Sequence, residues 1–260
     1  MTQLLDQVGP QRLAGFILVL ARVSPLFAIA PLFSSKLVPM RVRAIIAVAL
    51  AIGLSPVVAK GQRIDLDAFP LTALIGKELL VGLAFAFALA ALFAAVTVAG
   101  SLLDTLIGFS FGSLVDPVTG NQSSVLAQLY SMVAVLIFIA IGGDAWVIEG
   151  LARTYDVVPL ASFPALGPLV AGADAAFVKV FTSALQVAAP VLLAILITDA
   201  GFGMVSRVVP QLNVFQVGFP AKVLVGLLLI GVSLPFVGGW LATELQTDVG
   251  LALQSLRVVG

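Results

Sequence analysis

Ionisable side chains set inside long apolar runs are the residues of this sequence best placed to do chemistry. Arg22 lies in an apolar stretch with Pro25 three residues on and Pro31 beyond. Asp104 closes Leu79–Leu103, a run of 25 residues without a charge. Asp199 follows nineteen uncharged residues that include Pro190. An arginine at membrane depth costs about 3 kcal/mol on insertion scales, and each leucine-like neighbour returns only about 0.3–0.6 kcal/mol. Such groups therefore seek a partner or a wet cavity. Two chemistries suit them: polar contacts that seal helices to one another, or ion binding at a broken helix.

Each residue leaves two readings open. Pro25 and Pro31 free the carbonyls of Ala21 and Phe27. The five N–H donors of Arg22 could meet those carbonyls, or its stem could snorkel to the interface. Asp104 and Asp116, the latter directly before Pro117, are either helix caps or acids facing a cavity or a partner. Asp199 and Arg207 stand eight positions apart, about two helical turns, too far to pair on one straight helix. The segment Pro210–Lys222 is a polar break between apolar runs. Its Gln211, Asn213 and Gln216 could satisfy backbone groups of a neighbouring subunit. Pro25, Pro31, Pro190 and Pro235 are the expected helix-kink positions.

The elements that position these residues are membrane helices. Of 260 residues, 61% are hydrophobic and 10% charged, against about 25% charged in soluble domains. The fold class is all-α, an integral membrane protein of a single domain spanning 1–260. Net charge is zero and no basic stripe or aromatic ladder is present, so no nucleic-acid partner is expected. The chain has neither cysteine nor histidine, which removes thiolate and imidazole chemistry and the usual metal ligands. Phosphate loops and dinucleotide fingerprints are missing. Ile141-Gly142-Gly143-Asp144 lacks the first glycine of the Gly-x-Gly-Asp motif of intramembrane aspartyl proteases. No enzyme activity and no cofactor are expected. Leu13–Leu20 followed by Ala28-Ile29-Ala30 imitates a secretory signal, but Asp6, Arg22 and Pro31 spoil its flanks, and no cleavage is expected.

Six apolar segments stand out, near 13–34, 44–59, 79–103, 125–143, 180–198 and 223–243. They fit a simple six-span protein badly. Residues 44–59 are short of the roughly 20 a span needs. Leu79–Leu103 rises about 37 Å, more than the core of about 30 Å, and implies tilt or a path outside the bilayer. Residues Thr105–Val115 are too short to cross and read as a re-entrant or protein-buried piece. Positive charge does not orient the chain, with seven basic residues on one side and five on the other. Alanines four apart, at 86, 90 and 94 and at 91, 95 and 99, allow a close helix seam. The stretch around 160–175, with three prolines and two glycines between 159 and 172, reads as a loop, with a short turn of helix as the alternative within it.

The motifs taken together resemble the FliR family of flagellar type III export proteins and its virulence-secretion counterpart. Arg22-Val-Ser-Pro25, Ala30-Pro31 and Pro39-Met-Arg41-Val-Arg43 are similar to the family's opening pattern. Gly100-Ser-Leu-Leu-Asp104, Gly108-Phe-Ser and Asp116-Pro117 are similar to its central motif. Ala189-Pro190, Asp199, Gly203, Arg207, Pro210-Gln211-x-Asn213-Val214-Phe215, Gly218, Pro220 and Lys222 are similar to its most specific one. The chain departs from the family at Leu106-Ile107, where a Gln-Met-like pair is common, and at Asp144, where histidine is frequent.

The resemblance implies a subunit of an export gate. FliP and FliQ homologues would join it in a pore-forming assembly of the bacterial inner membrane, at the flagellar basal body. FlhA and FlhB would lie nearby, and unfolded polypeptide would be the cargo. Bent helical hairpins, partly lifted out of the bilayer, are the implied fold. A gate must pass polypeptide while excluding ions, which an apolar constriction does. Gly108, Phe109, Phe111 and Gly112 are the constriction candidates, being short, apolar, bracketed by glycines and flanked by acids. Ordinary buried helix is the alternative for this stretch. For the whole chain the alternative from another class is an ion-coupled secondary transporter built around Pro190 and Asp199.

Overall fold

The computed structural model describes residues 9–34, 38–109, 124–209 and 214–256. Among them are seven helices and no strand: α1 Pro10–Ile29, α2 Met40–Val58, α3 Ala68–Ile107, α4 Val125–Ala140, α5 Gly143–Val157, α6 Leu166–Val208 and α7 Val214–Ser255. Five are long and apolar enough to cross a membrane, and the pair α4–α5 is a sixth candidate. The chain is thus an all-α membrane protein. Its contacts divide it into two compact units. Unit 1 comprises residues 1–91, 142–177 and 245–260; unit 2 comprises 92–141 and 178–244.

Helix boundaries differ from the apolar runs for identifiable reasons. The short segment 44–59 becomes the 19-residue α2 because Arg41 and Arg43 lie in its first turns. Leu79–Leu103 is the middle of the 40-residue α3, which runs through Lys77 and Glu78. The expected loop 160–175 is corrected: α6 starts at Leu166. Pro168 falls in its first turn, where a missing N–H removes no intrahelical bond. Pro25, Pro190 and Pro235 all lie inside helices, and Pro31 lies just beyond α1. The Ala21 carbonyl that Pro25 leaves without its amide partner has the Ser24 hydroxyl 3.2 Å away.

In unit 1, α1 packs on α2 and on the first half of α3. Leu18, Val19, Val23 and Leu26 are fully buried, whereas α2 buries only Ala47 and Ala51. The side-chain amide of Gln11 donates to the Ile64 carbonyl at 2.8 Å and accepts from its N–H at 3.1 Å, fastening the start of α1 to the loop after α2. A Cβ on Gly82 would collide with the Arg22 carbonyl, so that glycine lets the α1 and α3 backbones touch.

In unit 2, the second half of α3 packs on α4. On this half of α3 Ala95 and Ala99 are buried, while Ala94 is half-buried. A Cβ on Gly100 would fall 2.6 Å from the Ala127 Cα. The Phe93 and Phe138 rings meet with centroids 5.4 Å apart.

Candidate functional site

Each unit holds one concentration of polar chemistry. In unit 1 it is a charge knot around Arg22. This side chain is fully buried and pairs with Glu78 of α3, which is equally buried. Arg22 Nε and Nη2 both donate to the Glu78 carboxylate, the second at 3.0 Å. Arg22 Nη2 also donates to the Val158 carbonyl at 2.8 Å, and Nη1 to the Thr154 hydroxyl at 3.2 Å. The guanidinium lies 4.1 Å from the centre of the Tyr155 ring, a cation–π stack. Lys77 Nζ sits 2.5 Å from Glu78 Oε1 and donates to the Pro159 and Leu160 carbonyls at 3.1 and 3.0 Å.

The knot does structural work. Three consecutive carbonyls, 158 to 160, fall where α5 has ended and cannot be satisfied by a helix ladder. Arg22 donates to Val158 and Lys77 to Pro159 and Leu160, with Ser162 also donating to Pro159, and the Glu78 carboxylate contacts both cations and offsets one of the two charges. The arginine neither snorkels nor bonds the carbonyls freed by the prolines. Its acidic partner is a residue that sequence reasoning passed over. Lys77 and Glu78 border a charge-free run, and charges there normally mark an interface. They are instead ten positions inside a continuous helix, facing protein.

In unit 2 the polar chemistry surrounds a cavity of about 430 Å³. Its lining includes Leu106, Ile107 and Gly108 from the end of α3, Asp199 and Gly203 from α6, and Phe219 and Lys222 from α7. Gly108 has φ +104°, a conformation open to glycine and strained for a side chain. Both Gly108 and Phe109 donate their N–H to the Asp104 carbonyl at 3.1 Å, closing α3. Asp199 pairs with Lys222 at 2.9 Å. Arg207, farther along α6, is exposed. Pairing on α7 explains how an acid in a greasy helix is tolerated: its cation stands 23 residues away in sequence.

Asp104 is buried, 2% exposed, and its carboxylate accepts the Leu126 N–H at 3.0 Å in the first turn of α4. Ser124 caps the same helix by accepting the Ala127 N–H at 3.0 Å. An anion at a helix N-terminus is favoured by the open amides and the dipole. The structure therefore brings Gly108, Asp199 and Lys222 to one cavity and places Asp104 at the neighbouring helix start. Arg22 belongs to the separate knot of unit 1. Phe111, Gly112, Asp116, Gln211 and Asn213 lie outside the described residues.

Residues 13–247 match the family of bacterial export proteins, family 1. The chain is 30% identical over 220 residues to the flagellar biosynthetic protein FliR of Escherichia coli (strain K12), covering 84% of this chain and 83% of that one. It is 32% identical over 226 residues to FliR of Bacillus subtilis (strain 168), covering 86% and 87%. It is also 33% identical over 221 residues to the Yop proteins translocation protein T of Yersinia pestis, covering 84% and 85%.

Proposed function

Because the chain belongs to family 1 of the bacterial export proteins, we propose that it works as a subunit of the flagellar type III protein export gate, within a pore that passes unfolded flagellar subunits. The observation that carries this reading is likeness over more than four-fifths of both chains to proteins named for flagellar biosynthesis. FliP and FliQ homologues are its assembly partners, with FlhA and FlhB adjacent, in the inner membrane at the basal body. Apolar side chains left exposed along α2, α6 and α7 suit a chain completed by sister subunits as well as by lipid. Deleting the gene should abolish secretion of hook and filament proteins, and the wild-type copy should restore it. FliP and FliQ homologues should co-purify with the tagged chain. Normal secretion without the gene, or a lone monomer that transports a small solute, would overturn the proposal. Likeness to the Yop translocation protein favours a virulence-type counterpart as second reading; intact motility with lost effector secretion would select it.

Within that gate, the segment from Gly108 onward acts as the ion-excluding constriction. Its support is the cavity beside Gly108, walled largely by apolar residues. A bulky residue at Gly108, or Phe111→Asp, should block export or raise ion leak. Wild-type export and conductance in both variants would remove the constriction from this segment.

A further inference from the structure

Helices α6 and α7 are joined twice by charge. Near one end Lys179 of α6 meets Glu244 of α7 at 2.5 Å; near the other, Asp199 of α6 meets Lys222 of α7 at 2.9 Å. The polarity is swapped between the two pairs, so each helix contributes one cation and one anion to them. Between them α6 runs from 180 to 198, and α7 from 223 to 243, without a charge. The pairs stand 20 residues apart on α6 and 22 on α7, about 30 and 33 Å of rise. Their spacing therefore matches on both helices.

Apolar packing alone would leave the fit of these helices loosely specified. The buried face of α6 is small and mostly apolar and repeats closely from turn to turn: Ser183, Ala184, Val187, Ala188, Val191 and Ile195. Between the charged ends the Trp240 indole N–H donates to the Gln186 side-chain oxygen at 3.3 Å. Sliding α7 by one turn, about 5.4 Å, would separate both ion pairs at once. Turning it end for end would set lysine against lysine and acid against acid. Complementary charges at the ends of an apolar seam are a recognised device for fixing register and orientation.

We propose that these two ion pairs fix the register of α6 against α7. Through it, Asp199 and Lys222 act as positioning residues for Phe202, Gly203, Gly218 and Phe219, the cavity wall beside Gly108. The register clause stands on the geometry; the second clause rests on the gate reading.

The absence of native cysteine allows a direct test in the co-expressed export complex. Gln186→Cys is combined with Phe236→Cys, the level partner that both ion pairs assign, or with Trp240→Cys one turn away, and a short bifunctional thiol reagent is applied. In the parent the 186–236 product should dominate. Asp199→Lys and Lys222→Asp should each lower the 186–236 to 186–240 ratio about fivefold, and the double exchange should restore it. Lys179→Glu and Glu244→Lys should behave in the same way. Asp199→Asn and Lys222→Gln, which introduce no repulsion, should lower the ratio less and serve where a reversal does not accumulate. An unchanged ratio in the single variants, or no restoration by exchange, overturns the register assignment. A lowered ratio with unchanged ion leak and secretion supports the register and overturns the gate clause. Restored leak and secretion in the Asp199–Lys222 exchange supports both, because a purely local packing role would not be rescued by inverting the pair.

Discussion

Replacing Glu78 by glutamine removes the carboxylate that both Arg22 and Lys77 contact. The two cations remain buried, at 0% and 4% exposure, with carbonyls, a hydroxyl and a ring but no anion. Breaking a buried pair by deleting one partner costs about 3–5 kcal/mol, because the other charge stays desolvated. At about 1.4 kcal/mol per factor of ten, the folded population falls roughly 10²- to 10⁴-fold relative to the unfolded one. Whole-domain stabilities are about 5–15 kcal/mol, so the variant should accumulate poorly and melt early. Lys77→Met is the informative comparison. It leaves Arg22 and Glu78 as a formally neutral pair and deprives only the Pro159 and Leu160 carbonyls of a donor, so its loss should be smaller. The assay is the thermal midpoint of the detergent-solubilised complex, read beside the membrane abundance of each variant. A wild-type midpoint for Glu78→Gln, or a greater loss for Lys77→Met, would refute the charge-offset reasoning.

Three further outcomes are expected. Gly100→Ala should lower the same midpoint by about 1–3 kcal/mol of stability, since its Cβ would meet backbone atoms of residues 126 and 127 at 2.6 to 2.9 Å. Asp104→Ala should cost about 1.5–3 kcal/mol, the range for a hydrogen bond to a charged group; Asp104→Asn should cost less because it keeps an acceptor for the Leu126 N–H. Arg153→Ala should change stability by no more than about 0.5 kcal/mol, because its pair with Glu149 is about 60% exposed on both sides.

The sequence made the ionisable residues visible but not their partners. Arg22, Asp104 and Asp199 stand out because charge inside a greasy run is costly. Their partners sit elsewhere in the chain: Glu78 is 56 residues from Arg22, the Leu126 amide 22 from Asp104, and Lys222 23 from Asp199. No local periodicity joins such pairs. Lys77 borders a charge-free run, where a cation normally marks an interface, yet it is buried in helix α3. Membrane class and the number of candidate spans were legible from apolar runs alone, since burial in lipid demands long runs of one chemical type. Helix ends were less so, because prolines and arginines in a first turn look like the end of an apolar element.

The order of segments in unit 1 bears on how the chain is made. Leu256 packs in one cluster with Val81 and Val158, and Gly150 closes against the Val249 side chain. All of unit 2 is translated between Ala91 and Leu245, with 142–177 as the only interruption. A ribosome that has finished residue 244 has therefore delivered every part of unit 2 but an open unit 1. Until residues 245–256 emerge, Val81 and Val158 lack their third partner, so this part of the unit 1 core closes last.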